Sequence, residues 1–497
     1  MPRESDDIVS FYDDKVTQYA DQDIQTVTLK TLLGLGRSGS PSLCQPAVSS
    51  STSSSTACQE REQRDLAVNL EVARYARKEL PVRLARLINA TQKLPFIVGT
   101  NPYIKQVYKL YYDSFQTITS KPVDIQDKED LDRFAEVLKG LVQSHTDVVP
   151  MLSQGFLECK MYMGKEDIKS FLDEMIRARI GIRLIAEQVI SLWEQRQRDE
   201  GEREGSTRRA QSSVTNHETL PSYSSEAEVV GVVHRDLRPA DLIRTCATFV
   251  QELCDVNYGS SPEVIINGQT DTRFTYVPVH LEYILCELLK NAVRATVEQS
   301  EKMGRSALNP YGPNSPHGRP TSGNGWSTHH HQTDKSNVVI VSGEEGSAAF
   351  EDDTKKHNEY GHPPVEVTIA QGEHEVTIRI RDQGGGIPRE NLSRIFEYSF
   401  TTVKTENELD VLESESADAG AGDSPYGVDS IFKGVSRLAM QAGLGGPIAG
   451  LGFGLPLTRI YAQYFGGDMQ MVSLQGYGCD VFLKLKQIDE TLDDLQI

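Results

Sequence analysis

Residues 287–295 read ELLKNAVRA, inside the longer run HLEYILCELLKNAVRATVEQ at 280–299. Leu281, Ile284, Leu285, Leu288 and Ala292 recur at three- and four-residue steps, which places them on one side of a helix. Glu287, Lys290, Asn291 and Arg294 follow the same steps along another side. One element therefore offers an apolar face to a sheet and a polar strip to whatever lies over it. A carboxylate and an amide one turn apart suit a base beside a magnesium ligand. Taken alone, a solvated polar stripe is the simpler reading.

Two glycine-rich segments change that balance. In RDQGGGIP at 381–388, Asp382 ends a strand and Gly384, Gly385 and Gly386 follow. Glycines let the backbone adopt positive φ and approach a flat ligand, and the carboxylate can accept from an exocyclic amine. The plainer alternative is a tight strand-to-helix turn. In GLGFGLPLTRIYAQYFGG at 450–467, Gly450, Gly452 and Gly454 precede a helix containing Leu457, Ile460, Tyr461 and Tyr464. Such a loop presents backbone N–H groups and a positive dipole end to an anion, or is simply a flexible turn. The stretch between the two segments has little apolar periodicity and is long enough for a lid, placed at 403–449.

The 497 residues suffice for two domains. Hydrophobic residues make up 38% and charged residues 25%, a soluble globular profile. A formal charge of −20 argues against a non-specific nucleic-acid binder and for no nucleic-acid partner. Seven Cys without a C-x-x-C pair point to a reducing compartment. No run is apolar enough to span a membrane. The first two dozen residues carry Asp6, Asp7, Asp13, Asp14, Asp21 and Asp23, unlike a signal or transit peptide.

Polar stretches divide the chain. Residues 36–60 include SSSTSSSTA, 195–229 are charged and then Ser-rich, and 299–362 are rich in Gly, Pro, His and Asn, including THHHQ. Residues 60–196 carry helical periodicity and are expected to form a helical bundle, after a partly flexible segment 1–59 and before a polar linker or insert 197–229. Residues 230–490 combine the ELLKNA helix with two hairpins, VEVTIAQGEHEVTIRIRDQ and MQMVSLQGYGCDVFLKLK. The fold class is α+β: a helical bundle, then an α/β sandwich with a disordered insert at 299–362 and a tail at 491–497.

HRDLRPADLI at 234–243 resembles the catalytic loop of eukaryotic protein kinases, with Asp241 where the Asn belongs. No D-F-G or A-P-E follows it, and GLGRSG at 34–39 runs into a Ser-rich tract with no V-A-I-K-like strand. Pro239 and Asp241 instead suit a helix start before LIRTCATFVQELC. No Walker A loop occurs either.

In this order and spacing, the three segments resemble the ATP-binding fold shared by histidine kinases, heat-shock chaperone ATPases, DNA gyrase and mismatch-repair ATPases. KELPVRLARLINATQKLPFIVGTNPYI, SHTDVVPMLSQG, ARIGIRLIAEQ, YGSSPEVIING and LQGYGCDVFLKLKQID narrow the resemblance to the mitochondrial 2-oxoacid dehydrogenase kinases, pyruvate and branched-chain, nearly end to end. The resemblance implies a histidine-kinase-like ATP-binding domain and ATP-dependent phosphorylation of serine on the E1 subunit, which inactivates the complex. It implies Glu287 as general base and His145, in SHTDVVP, as the residue that hydrogen-bonds and tunes it. Asn291 would hold Mg²⁺, with Lys290 and Arg294 on the same strip, and Asp382 would read adenine beside Gly384 and Gly386. Thr401 and Thr402 match hydroxyls at the lid base. Gly450, Gly452, Phe453, Gly454 and Leu455 line the phosphate end. Branched-chain-type members bind K⁺ at positions matching Ile395, Glu397 and Phe400, where Glu397 replaces an Asp. The helical half is expected to dock the lipoyl domain of E2, and the chain to form a homodimer in the mitochondrial matrix. Pyruvate-specific members carry an Asp-Trp pair in the tail; here only Trp193 and Trp326 occur and the chain ends DETLDDLQI. The alternatives are a protein histidine kinase using His145 as acceptor and an ATP-binding scaffold on the E2 core.

Overall fold

The computed structural model describes residues 14–24, 54–120, 125–209, 229–308, 339–341, 361–400 and 452–486; the expected lid at 403–449, Thr401, Thr402, Gly450 and the tail at 491–497 lie outside them. The first half is helical: α1 (Asp14–Ala20), α2 (Ser54–Gln92), α3 (Phe96–Gly99), α4 (Pro102–Thr119), α5 (Lys128–Ser144), α6 (Val148–Cys159) and α7 (Lys165–Arg209). Helix starts follow the local chemistry. Asn101 caps α4 by accepting from the Tyr103 and Ile104 amides, with Pro102 at the first position. Asp127 caps α5 through the Asp130 amide. Ile104, Val107, Tyr111 and Phe115 of α4 are completely buried in one core with Ile88 of α2, Phe156 of α6 and Leu172 of α7.

The bundle exceeds the expected bounds of 60–196. Helix α2 starts at Ser54, and α7 runs to Arg209 through residues expected to be linker. Apolar periodicity is absent there because charge pairs tie the helix to α5. Arg196 bonds Asp132 at 2.8 Å and Lys128 meets Glu200 at 2.7 Å.

The second half comprises β1 (Val229–Val230), β2 (Val233–Leu237), α8 (Pro239–Tyr258), β3 (Val264–Gly268), β4 (Phe274–Tyr276), α9 (Pro278–Leu308), β5 (Val339–Val341), β6 (Val365–Gln371), β7 (Glu375–Arg381), α10 (Arg389–Leu392), α11 (Gly454–Tyr464), β8 (Asp468–Leu474) and β9 (Gly478–Lys486). A six-stranded sheet has the order β5-β3-β6-β7-β9-β8, and β1-β2-β4 form a smaller one. Both expected hairpins are present: Val367 pairs with Ile380 and Ile369 with Ile378, while Met471 pairs with Val481. Strands β3 and β6 run parallel, joined by the crossover that contains α9. Leu281, Ile284 and Leu285 of α9 are fully buried, as the stripe at 280–299 requires.

HRDLRPAD is a strand–helix junction: β2 ends at Leu237, and Pro239 opens α8 with Asp241 in its first turn. The expected insert 299–362 is shorter at both ends and interrupted. Helix α9 continues to Leu308, and β5 adds an antiparallel strand beside β3. Edge pairing needs only three apolar residues, Val339 to Val341, too few for a periodic signal.

Candidate active site

Helix α9 brings the three segments together. Glu287 sits two and a half turns into it and is half-buried, with Lys290 Nζ on its Oε1 at 2.5 Å. Asn291, one turn on, is exposed. Arg294 turns along the helix to Glu298 at 3.3 Å. The polar strip is thus real, and Lys290 and Arg294 are each engaged with a carboxylate of their own helix.

The QGGG turn rests on the same helix. A Cβ at Gly384 would lie 2.4 Å from the Ala295 Cβ, and one at Gly385 would lie 2.7 Å from Gln299 Oε1. Gly385 and Gly386 have φ of 81° and 70°. Asp382 ends β7 and is buried; its Oδ1 accepts from the Gly384 amide at 2.8 Å and the Cys479 amide at 3.2 Å. Burial raises its pKa above the usual carboxylate range, and the two amide bonds oppose that. Cys479 of β9 and Ser473 of β8, whose Oγ accepts from the Ile387 amide at 2.7 Å, hold this turn from the far hairpin. Neither has a sequence signal of its own.

The third segment closes the arrangement. A Cβ at Gly454, the first residue of α11, would stand 2.6 Å from Glu287 Oε2. Gly452 has φ 70°, and a Cβ on it would meet the Phe400 backbone N at 2.5 Å. First-turn amides of a helix have no intrahelical acceptor, so the start of α11 faces Glu287 with donors to offer. Leu455 is partly buried on the core. Phe453, expected at the phosphate end, has its ring fully buried, 4.9 Å from that of Tyr398.

His145 also departs from expectation. It follows the end of α5, and its Nε2 bonds Ser114 Oγ at 2.8 Å, not Glu287. Its ring stands edge-on to Tyr111 at 5.1 Å, and its carbonyl accepts from Arg179 at 2.8 Å. Burial, with Arg179 adding, pushes its pKa down to about 4. It belongs to a cavity within the bundle lined also by Leu80, Leu84 and Ile182. At the expected potassium positions Ile395 is buried, and Glu397 lies 3.6 Å from Lys165 and 3.5 Å from Arg394. Among the described residues no cluster of three or more His, Cys, Asp or Glu could hold a metal ion, and no helix is long and apolar enough to cross a membrane.

Residues 55–234 match the family described as mitochondrial branched-chain alpha-ketoacid dehydrogenase kinase. Residues 352–422 match the histidine kinase-, DNA gyrase B- and HSP90-like ATPase family. A mitochondrial pyruvate dehydrogenase (acetyl-transferring) kinase of Arabidopsis thaliana is 28% identical over 426 residues, 85% of this chain and 86% of that protein. Isozyme 1 of Homo sapiens is 25% identical over 83% of this chain and 72% of its own length. Isozyme 4 of Mus musculus is 26% identical over 85% and 78%. A helical bundle leading into a six-stranded sheet, with three segments converging on one helix, accompanies this similarity to the mitochondrial 2-oxoacid dehydrogenase kinases along most of the chain.

Proposed function

We propose that this protein is an ATP-dependent protein serine kinase that phosphorylates the E1 subunit of a mitochondrial 2-oxoacid dehydrogenase complex, pyruvate or branched-chain, and thereby inactivates it. One observation carries the reading: Glu287 lies against Gly454 at the start of α11, while Gly384 and Gly385 pack on the same helix at Ala295 and Gln299. Both glycine turns thus lie against the helix that carries Glu287 and Asn291, at points too close to admit a Cβ.

The donor set fits the ligands the family implies. Asn291 offers a hard amide oxygen from an exposed position, suited to a magnesium ion that keeps most of its ligands as water and phosphate oxygens. Such an ion supplies charge neutralisation on the phosphates and an in-line template. Asp382, with Oδ1 already held by two amides, is oriented to accept an adenine amine through its other oxygen. Glu287 accepts the proton of the serine hydroxyl. A carboxylate is a weak base toward an alcohol, so transfer occurs late, as the phosphoryl group moves through a loose transition state. Lys290 holds the Glu287 carboxylate in place until then.

The bundle docks the lipoyl domain of E2, which raises the local concentration of E1. The protein acts as a homodimer in the matrix. Incubation with labelled ATP and purified E1 from the pyruvate and the branched-chain complexes tests the reading. Acid-stable phosphoserine on one E1 is expected; no transfer to either overturns it, and an acid-labile autophosphate in its place indicates histidine chemistry.

A further inference from the structure

The segment after α10 plays no part in the chemistry above, yet it ties the two halves together beside the site. Tyr398 donates its hydroxyl to Asp173 Oδ1 of α7 at 2.6 Å. Its ring packs on Phe453, the buried residue that precedes α11. The next residue, Ser399, has φ 61°, the one non-glycine among the described residues with positive φ. Phe400 follows, its backbone so close to Gly452 that a Cβ there would lie 2.5 Å from the nitrogen and 2.6 Å from the oxygen.

A serine in the left-handed region is unfavourable and persists only where its surroundings outweigh the cost. Two anchors flank it here, the Tyr398 hydroxyl on α7 and the Phe400 backbone against Gly452. The first is a short bond to a carboxylate, stronger than one between neutral groups. Lys165 and Glu397 approach at 3.6 Å between the same two elements.

We propose that Tyr398 is a positioning residue of the nucleotide site, and that Asp173 of the helical half holds its hydroxyl so that the Ser399–Phe400 backbone stays seated against Gly452. This rests on reading the Gly452–Gly454 turn as the phosphate-facing loop. Without the tie, Ser399 relaxes to negative φ and Phe400 leaves the turn. The fraction of molecules with a binding-competent turn then falls, and apparent affinity falls with it. Because Tyr398 touches no reacting atom, the loss appears in nucleotide binding and KM, and kcat at saturation is kept.

The test measures the Kd for Mg-ATP and the kinetics of E1 phosphorylation with the full chain. Tyr398→Phe, which keeps the ring, is expected to weaken ATP binding by about tenfold with kcat within about twofold. Asp173→Ala should do the same, and the double variant should be no worse than either single one. Asp173→Asn, which retains an acceptor oxygen, should restore most of the affinity; this rescue also separates positioning from simple loss of stability. Unchanged affinity in Tyr398→Phe, additive losses in the double variant, or a failure of Asp173→Asn to rescue overturns the proposal. If the wild-type chain binds no Mg-ATP, the site reading itself fails and takes this inference with it. Wild-type binding with an unaffected Tyr398→Phe sinks the inference alone.

Discussion

Gly454 faces Glu287: a Cβ on the glycine would lie 2.6 Å from the Glu287 Oε2. Among the described residues the clash is with the far end of a flexible side chain, so Gly454→Ala should fold and displace the carboxylate. The expected result is a fall in E1 phosphorylation of about a hundredfold, the scale of a 1 Å misplacement. Thermal unfolding should change little. A variant with full activity would remove the contact from the mechanism.

Glu287→Gln keeps shape and removes the proposed base. ATP binding should stay within about threefold while transfer falls by at least about a hundredfold. Asn291→Ala should leave metal-free ATP binding unchanged and lose the increment that Mg²⁺ adds. Titration calorimetry with and without Mg²⁺, beside single-turnover phosphorylation, separates the two roles.

Asp382→Asn leaves an oxygen for the Gly384 and Cys479 amides but turns an NH₂ toward an adenine amine. Two donors then face each other. ATP affinity should drop by about thirtyfold or more, with the fold intact by circular dichroism. Retained affinity would mean that Asp382 serves only to join β7 to β9.

His280 supplies a pH prediction. It is buried among aromatic rings, 4.9 Å from Tyr461 and 5.3 Å from Phe465, and burial, with Arg183 adding, pushes its pKa down to about 3. An unfolded His titrates near 6.5, so the unfolded chain binds the extra proton between those values. Stability is therefore complete above about pH 6.5 and is lost as pH falls toward 3, by about 3 kcal/mol at pH 4 from this group. His280→Phe should flatten that decline in urea unfolding at pH 7.5, 5.5 and 4.5. His145, pushed down to about 4, declines in the same direction and will leave part of the slope.

What could be read from the chain was whatever has a period or a local rule. The α9 stripe, the two hairpins and the Pro239 helix start were legible because burial and capping act within a few residues. The extension of α7 and the strand β5 were not. Charge pairs reaching α5 hold the former, and three edge residues paired with β3 make the latter. His145 was placed by its motif beside Glu287, and the structure instead binds it to Ser114 within the bundle.

The linear order alone put Glu287 and Asn291 on one helix face and set glycine turns beside Asp382 and Gly452, because helix periodicity and glycine turns are local properties. Only the folded chain decided which atoms meet: Gly454 on Glu287, Gly384 on Ala295, Phe400 on Gly452 and Tyr398 on Asp173. Those pairs are up to 225 residues apart. Such contacts depend on how sheet, helix and bundle pack together, which no short stretch of sequence encodes.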